Sequence, residues 1–175
     1  MEYHIYKCTN EDLFEVGKVY DTVTEYLENH VNYPKWVHGD YPSLKSAQTA
    51  LEKGSLYAVK KDGEIVCAFV LNDDPQGDYS VGDWKVNIPE GEYMVIHSLA
   101  VLDKCYGQGV GQRVVKFCLD TAKERGYKGV RVDVVPENFP ARRLYEKMGF
   151  TFAGEKDLKR GYDNIPTFQL LEYNF

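Results

Sequence analysis

The sequence has few cysteines, and their spacing excludes a disulfide framework and a cysteine-based metal site. Cys8, Cys67, Cys105 and Cys118 form no C-x-x-C pair and lie in apolar or strand-like surroundings, which is typical of free thiols in a reducing compartment. No group of His, Cys or carboxylate residues has metal-ligand spacing. We therefore predict a cytoplasmic protein without a bound metal. Cys105 is not expected to act as a nucleophile, because no paired histidine is evident.

Long apolar runs and basic clusters are also missing. No stretch approaches the roughly 20 apolar residues that span a bilayer, and the first residues, Met1–His4, do not resemble the basic start of a signal peptide. The 27 Asp and Glu residues outnumber the 21 Lys and Arg residues, which gives a net charge of −6. The basic residues form no cluster that could follow a phosphate backbone. We therefore expect no membrane partner and no nucleic-acid partner.

The composition that remains is that of one folded domain. Of the 175 residues, 43% are hydrophobic and 27% are charged, which is ordinary for a globular chain of this length, so we predict a single domain over residues 1–175. Tyrosine is frequent, with 14 copies. Its apolar ring and polar tip suit a pocket or interface as well as the edge of a core, and both interpretations remain open.

Hydrophobic periodicity predicts alternating strands and helices. Strands are predicted at 3–8, 55–60, 64–71, 93–101, 129–135, 150–153 and 167–175, and helices at 9–30, 43–53, 110–125 and 138–149. Thr9–Asp12 resembles a capping box, Lys61–Gly63 is a hairpin signal, and Asn138 is a favoured N-cap. This order predicts an α/β fold around a mixed sheet whose parallel part lies at the centre.

Two connections carry aromatic residues between regular elements. Residues 31–42 contain two prolines and a glycine together with Tyr33, Trp36 and Tyr41, so these rings either fill the core or form one wall of a substrate pocket. Residues 72–90 are polar and rich in Gly, Pro and Asp, with an exposed-looking Trp84. Connections of that length are often functional or mobile, and we include Trp84 among the candidate substrate-binding residues.

The central feature is a glycine-rich turn between the strand at 93–101 and the helix at 110–125. Gly107, Gly109 and Gly111 alternate with other residues immediately before the helical periodicity begins. The unpaired N–H groups and the positive dipole end of a helix N-terminus attract anions, usually phosphate. Glycine lets an oxygen approach the backbone without meeting a Cβ. The turn is therefore a candidate phosphate site.

Two familiar phosphate motifs fit this turn poorly. A nucleoside-triphosphate P-loop needs Gly-Lys-Ser/Thr, whereas Gly111 is followed by Gln112 and Arg113. A dinucleotide fold needs G-x-G-x-x-G in its first strand-to-helix turn, with an acidic residue about 20 residues later. The spacing here is G-x-G-x-G, and Asp133, which lies at that distance, is expected to face solvent or a sheet edge. A dinucleotide site is thus the less favoured alternative.

A second block lies downstream, where Asn138, Ala141, Leu144-Tyr145-Glu146-Lys147 and Gly149-Phe150 follow one another. Together with Leu99-Ala100-Val101 and the glycine turn, this block resembles the GNAT superfamily of acetyl-CoA-dependent N-acetyltransferases. The resemblance covers residues 93–152 and departs at Tyr106, where the family usually has Arg or Gln. It implies a single-domain fold with about seven strands and about four helices, splayed at the cofactor cleft.

The resemblance also implies roles for individual residues, with acetyl-CoA as co-substrate. The pyrophosphate is expected on the backbone N–H groups of Gly107, Gln108, Gly109, Val110, Gly111 and Gln112, and the pantetheine along Leu99, Ala100 and Val101. Asn138, which is also a plain helix cap, Ala141 and Tyr145 are expected to contact the cofactor. Tyr145 resembles the general acid that protonates the departing sulfur.

The residue that accepts the amine proton is open between two candidates. His97 has an imidazole suited to that role, and strand alternation places it on one face with Leu99. Glu92, at the strand entry, is a carboxylate that can act through a water molecule.

We predict direct transfer of the acetyl group, through a tetrahedral intermediate, to a small-molecule or peptide amine. The alternative is a non-catalytic acyl-CoA-binding or sensing module. Tyr173 and Phe175 in the last strand suggest a homodimer.

Overall fold

The computed structural model describes residues 2–175 and contains seven strands and four α-helices within that range. The strands are β1 Tyr3–Lys7, β2 Leu56–Lys61, β3 Glu64–Asn72, β4 Met94–Val101, β5 Gly129–Val134, β6 Thr151–Lys156 and β7 Phe168–Asn174, and the helices are α1 Leu13–Glu28, α2 Leu44–Glu52, α3 Val110–Glu124 and α4 Phe139–Lys147. The predicted order of elements is confirmed. Met1, where the predicted domain and N-terminal segment begin, lies outside the described residues.

The strands form one seven-stranded sheet in the order β1-β2-β3-β4-β5-β7-β6. Strands β4 and β5 are parallel, pairing Met94 with Val130 and Val95 with Arg131, whereas β1–β2, β2–β3, β5–β7 and β6–β7 are antiparallel. The parallel pair at the centre requires a crossover, which α3 supplies. The predicted α/β fold with a mixed sheet is therefore confirmed.

The chain divides into two compact units, and strand β4 and helix α3 each have residues in both. The first comprises the chain up to Leu71 together with His97–Val114, and the second comprises Asn72–Ile96 together with Val115–Phe175. Each unit is described by itself below. The single domain over residues 1–175 stays a prediction.

Local signals in the first unit produce the turns that the sequence predicts. The backbone N–H of Thr9 donates to the Asp12 carboxylate at 2.9 Å, which is the capping-box contact before α1. Asp62 and Gly63 have φ angles of 50° and 86°, so they form a two-residue hairpin turn in which both residues are left-handed. Tyr20, on the buried face of α1, is 1% exposed.

In the second unit, the connection between β3 and β4 packs into the core. Tyr79, Ile88 and Tyr93 are buried in one cluster, against which Trp84 packs. The Trp84 indole N–H donates to the carbonyl of Tyr79 at 2.6 Å, and the Arg131 guanidinium lies 3.9 Å from its ring centroid. The expectation of an exposed Trp84 was therefore wrong, because the ring packs against apolar residues of the same connection.

Asp133 is the second correction in this unit. Its carboxylate accepts two hydrogen bonds from Arg160, both at 2.8 Å, and one from the Tyr79 hydroxyl at 2.6 Å. Only 12% of the Asp133 side chain is exposed, so it faces neither solvent nor a free edge. Burial holds the pKa of the Tyr79 hydroxyl well above its usual range, and the negative charge of the nearby Asp133 carboxylate raises this pKa further.

The remaining predictions concern the cysteines and the chain end. None of the four cysteines forms a disulfide, and all four are buried; burial raises the pKa of the Cys8 thiol to about 12. Tyr173, predicted to be exposed, is half-buried with its ring between those of Phe150 and Phe175. The homodimer stays a prediction. Among residues 2–175, no helix has both the length and the apolar character needed to cross a bilayer.

Candidate active site

The glycine turn connects β4 to α3 within the first unit. Gly107 and Gly109 have φ angles of 74° and 77°, a left-handed conformation that glycine adopts without the strain other residues incur. A Cβ placed on either glycine would have no atom within 4 Å. Both positions therefore face open space, which is the room that a ligand approaching the backbone needs.

The same turn presents backbone donors at the start of α3. The backbone N–H of Gln108 donates to the carbonyl of Cys105 at 3.3 Å, and the backbone N–H of Arg113 donates to the carbonyl of Gly109 at 3.1 Å. These two bonds connect the turn to the start of the helix. The N–H groups in the first turn of a helix have no partner within that helix. Together with the helix dipole, they suit an anion, so the residues present fit a pyrophosphate group.

Lys61 is a contact of this turn that sequence reasoning missed. Its ammonium donates to the Gln108 side-chain carbonyl at 2.5 Å, and the Gln108 side-chain amide donates to the Lys104 carbonyl at 3.1 Å. The bonds fasten the turn to the end of β2 and place a cation beside it. No local sequence pattern predicts this contact, because Lys61 and Gln108 are 47 residues apart in the chain.

Tyr106, the departure from the family pattern, is 51% exposed at the start of the turn. Its ring meets that of Tyr26 edge to face, with centroids 5.8 Å apart. Partial burial raises the pKa of the Tyr106 hydroxyl, so this position presents a neutral phenol. The turn at this point thus offers neither a cation nor an amide side chain.

Strand β4 is irregular immediately before Leu99. Ser98 has a φ of 51°, which lies in the left-handed region that residues other than glycine rarely occupy. Period-two alternation holds only for extended backbone, so His97 and Leu99 cannot be assigned to one face by alternation, and that expectation stays a prediction. His97 itself is half-buried. The Ser98 hydroxyl is hydrogen-bonded to the hydroxyl of Tyr41.

Residues 31–43, here called the aromatic segment, connect α1 to α2 and are fixed by hydrogen bonds. The Asn32 side-chain amide donates to the Trp36 carbonyl at 2.7 Å, and its oxygen accepts from the Trp36 N–H at 3.2 Å. A β-bridge joins Val37 to Tyr41. Tyr33 and Trp36 are half-buried, whereas Tyr41 is 40% exposed. The segment is therefore ordered, and the Tyr41 ring within it is accessible.

A histidine fastens the aromatic segment to α1. The Thr24 hydroxyl donates to the Tyr20 carbonyl at 2.8 Å and lies 2.8 Å from Nδ1 of His38. Because a hydroxyl has a single proton to donate, Thr24 accepts from His38, so Nδ1 of His38 is the protonated nitrogen.

The second unit contains the Asn138–Tyr145 block. The Asn138 side chain accepts from the Ala141 N–H at 3.3 Å and caps α4, as predicted. Tyr145 is 6% exposed, and its ring lies 5.3 Å from that of Phe150. Glu92 lies two residues before β4, and its carboxylate is paired with the Lys128 ammonium at 2.5 Å. The pair is exposed and involves one of the two carboxylate oxygens.

Comparison with known proteins identifies the family. The model described as "Acetyltransferase (GNAT) family" matches residues 19–150, which is most of the chain. The chain belongs to the GNAT family. Acetyl-CoA is the acyl donor of GNAT acetyltransferases.

Curated relatives of this GNAT chain are N-acetyltransferases. It is 28% identical over 110 residues to the 5-NmdU N-acetyltransferase of Pseudomonas phage PaMx11, covering 63% of this chain and 66% of that protein. It is 32% identical over 83 residues to the mycothiol acetyltransferase of Beutenbergia cavernae, covering 47% and 28%. The chain thus spans less than two thirds of the length of these relatives.

Solved structures agree on the GNAT fold. A GNAT acetyltransferase from Streptococcus agalactiae superimposes with a TM-score of 0.81 at 15% identity, covering 99% of this chain and 95% of that one. The acetyltransferase yncA of Salmonella typhimurium, solved with acetyl-CoA, gives a TM-score of 0.67 at 12% identity, covering 98% and 93%. At these sequence identities, the structural similarity shows that the fold is the same and nothing more specific.

Proposed function

We propose that this GNAT protein transfers an acetyl group from acetyl-CoA to the amine of a small molecule or peptide, by direct attack through a tetrahedral intermediate. The observation that carries the proposal is the turn at Gly107 and Gly109. Both glycines are left-handed, both have open space where a Cβ would lie, and helix α3 begins directly after them.

In this proposal the first unit binds the donor. The backbone N–H groups of Gly107–Gln112 hold the pyrophosphate, and the ammonium of Lys61 beside the turn adds positive charge. The backbone of Leu99–Val101 binds the pantetheine as an added strand would. The family usually has Arg or Gln where this chain has Tyr106. Because backbone groups provide most of the proposed contacts, we expect this difference to weaken the binding of acetyl-CoA without abolishing it.

Tyr145 is proposed as the general acid. Thioester cleavage releases a thiolate, and the reference pKa values of a thiol and a phenol differ by only about 1.5 units, so proton donation by a tyrosine is feasible. The cap formed by Asn138 supports this assignment, because it fixes where α4 begins. Asn138 and Ala141 are proposed as further contacts of the donor.

His97 and Glu92 stay the sequence-based candidates for the proton acceptor. The exposed ion pair of Glu92 with Lys128 does not decide between them, so the role of His97 is tested directly. The pH dependence of kcat/KM tests it: if His97 is the base, the limb near neutrality disappears in His97→Ala.

The aromatic segment is proposed as the acceptor wall. Tyr33, Trp36 and Tyr41 are held in place by hydrogen bonds, and Tyr41 is accessible. The packing of Trp84 supports a core role, so we assign acceptor binding to the other three. The names of relatives that act on 5-NmdU and mycothiol support an amine acceptor. A cytoplasmic location and a homodimer also stay predictions.

The test is thiol release from acetyl-CoA across a panel of amines, with mass spectrometry of the products. We expect amine-dependent release and an acetylated amine. Tyr145→Phe should lower kcat at least about tenfold with the circular dichroism spectrum unchanged. The control, Tyr127→Phe, removes an exposed hydroxyl bonded to Asp73 and should leave kcat unchanged.

Two other results would contradict the proposal. A sensing module would be stabilised against heat by coenzyme A without releasing thiol in the presence of any amine. A dinucleotide-binding protein would be stabilised by NAD and not by coenzyme A.

A further inference from the structure

The hydroxyl groups of Tyr41 and Ser98 form a pair that the proposed reaction does not yet use. Ser98 immediately precedes Leu99, where the proposed donor site on β4 begins, and its Oγ is hydrogen-bonded to Oη of Tyr41. Either oxygen can be the donor, because each hydroxyl both donates and accepts. A proton can therefore pass through the pair in either direction.

The backbone at Ser98 sets this residue apart from the rest of β4. A φ of 51° in a strand costs free energy and persists only where the surrounding structure holds it, as is common at functional sites. Tyr41 supplies part of that support from a segment that is itself bridged to Val37. The pair is thus held from two elements of the same unit.

Amine acetylation needs an exit for one proton. When the neutral amine attacks the thioester carbonyl, its nitrogen becomes cationic and more acidic than the ammonium form of the free amine. A hydroxyl that passes its own proton onward to water as it accepts this one can carry the proton to solvent without holding a positive charge. The exposure of Tyr41, at 40%, gives the pair contact with solvent.

We propose that Ser98 and Tyr41, in place of His97 or Glu92, relay the proton from the attacking amine to water. The N–H bond breaks as the proton forms a bond to Oγ of Ser98, whose own proton moves to Oη of Tyr41. The Tyr41 proton passes to a solvent water, and both hydroxyls are neutral again at the end. Ser98 touches the reacting nitrogen, and Tyr41 acts through Ser98. This inference rests on the proposed acetyl transfer.

The experiment compares Tyr41→Phe, Ser98→Gly and Ser98→Ala, using the amine that the wild type acetylates fastest. Each variant should lower kcat about a hundredfold and leave the KM for acetyl-CoA within about twofold of the wild type. Glycine adopts the left-handed conformation without strain, so equal losses in Ser98→Gly and Ser98→Ala assign the effect to the hydroxyl. Tyr127→Phe and Ser80→Ala, which remove hydrogen-bonded hydroxyls elsewhere, are the controls.

Chemical rescue separates a relay from a structural contact. Added imidazole, a small base, should restore kcat several-fold in Ser98→Gly and leave the control variants unchanged. The double variant Tyr41→Phe/Ser98→Gly should be no slower than the slower single variant, because one break already interrupts the relay.

The outcomes distinguish the relay from the function on which it rests. If the wild type acetylates no amine, both proposals are overturned. If the wild type is active and the variants keep kcat within about twofold, or lose activity that imidazole does not restore, the relay alone is overturned and acetyl transfer stands.

Discussion

The two aromatic connections of this protein have similar compositions, but their aromatic rings differ in whether they face solvent or the core. The aromatic segment, 31–43, and the connection 72–92 both interrupt regular structure with proline and glycine, and each carries one tryptophan. The first is fixed by hydrogen bonds and leaves Tyr41 40% exposed. The second turns Trp84 into the core of its unit. Composition thus predicts where the chain leaves regular structure and not which way its rings face.

Partners that are distant in sequence decide the difference. The Arg131 guanidinium lies between the rings of Trp84 and Tyr93, 3.9 and 4.3 Å from their centroids. Arg160 donates to the carbonyls of Pro75 and Gln76 at 2.9 and 2.7 Å. The connection 72–92 is thus held by packing and by contacts of charged side chains in addition to hydrogen bonds, whereas the aromatic segment leaves the Tyr41 ring accessible. We therefore expect substitutions in the connection 72–92 to change stability and those in the aromatic segment to change activity.

The largest effect is expected at the anchor of the connection 72–92. Asp133→Ala leaves the Arg160 guanidinium and the buried Tyr79 hydroxyl without their shared carboxylate, so the free energy of unfolding should fall by about 3 kcal/mol. Urea unfolding at neutral pH measures this loss. Asp120→Ala, which removes an exposed ion pair with Lys116, should change the free energy of unfolding much less. A similar cost for both variants would contradict the anchor role.

The two tryptophans give a matched comparison. Trp84→Ala should lower the free energy of unfolding by about 2 kcal/mol, below the 3–5 kcal/mol that is typical of a fully buried ring because Trp84 is only partly buried, and should leave the acceptor KM unchanged. Trp36→Ala should do the reverse, with a smaller stability loss and a raised acceptor KM. A raised acceptor KM in Trp84→Ala, with stability intact, would return Trp84 to the acceptor pocket.

A smaller effect is expected where the aromatic segment meets α1. His38→Ala removes one hydrogen bond to Thr24, whose hydroxyl keeps its bond to Tyr20, so the free energy of unfolding should fall by about 0.5–1 kcal/mol. Loosening the segment should raise the acceptor KM a few-fold at constant kcat. His30→Ala, which removes a comparable bond to Tyr26 at the end of α1, is the control. An equal rise in both variants would indicate a general loss of helix order.

The parts of the fold and of the candidate site that the sequence could predict depend on interactions between residues close together in the chain. The capping box at Thr9, the hairpin at Asp62 and the cap at Asn138 each depend on residues within four positions of one another. The contact of Lys61 with Gln108 and the pair of Tyr41 with Ser98 span 47 and 57 residues. No propensity or period encodes such contacts, and the left-handed Ser98 breaks the alternation on which strand faces are assigned.

The smallest effect tests whether exposed charge also holds the connection 72–92. Hydrogen bonds from Ser80 and Lys159 lower the pKa of Asp78, so its carboxylate stabilises the fold above the usual pKa of 3.8, and this contribution disappears as the pH falls through the lowered value. Asp78→Asn should therefore shift the urea midpoint slightly at pH 7, and the shift should decrease as the pH falls below 3.8 and shrink in high salt. An unchanged midpoint at pH 7 would mean that packing alone holds the connection. A shift that grows at acid pH would contradict the sign of the linkage.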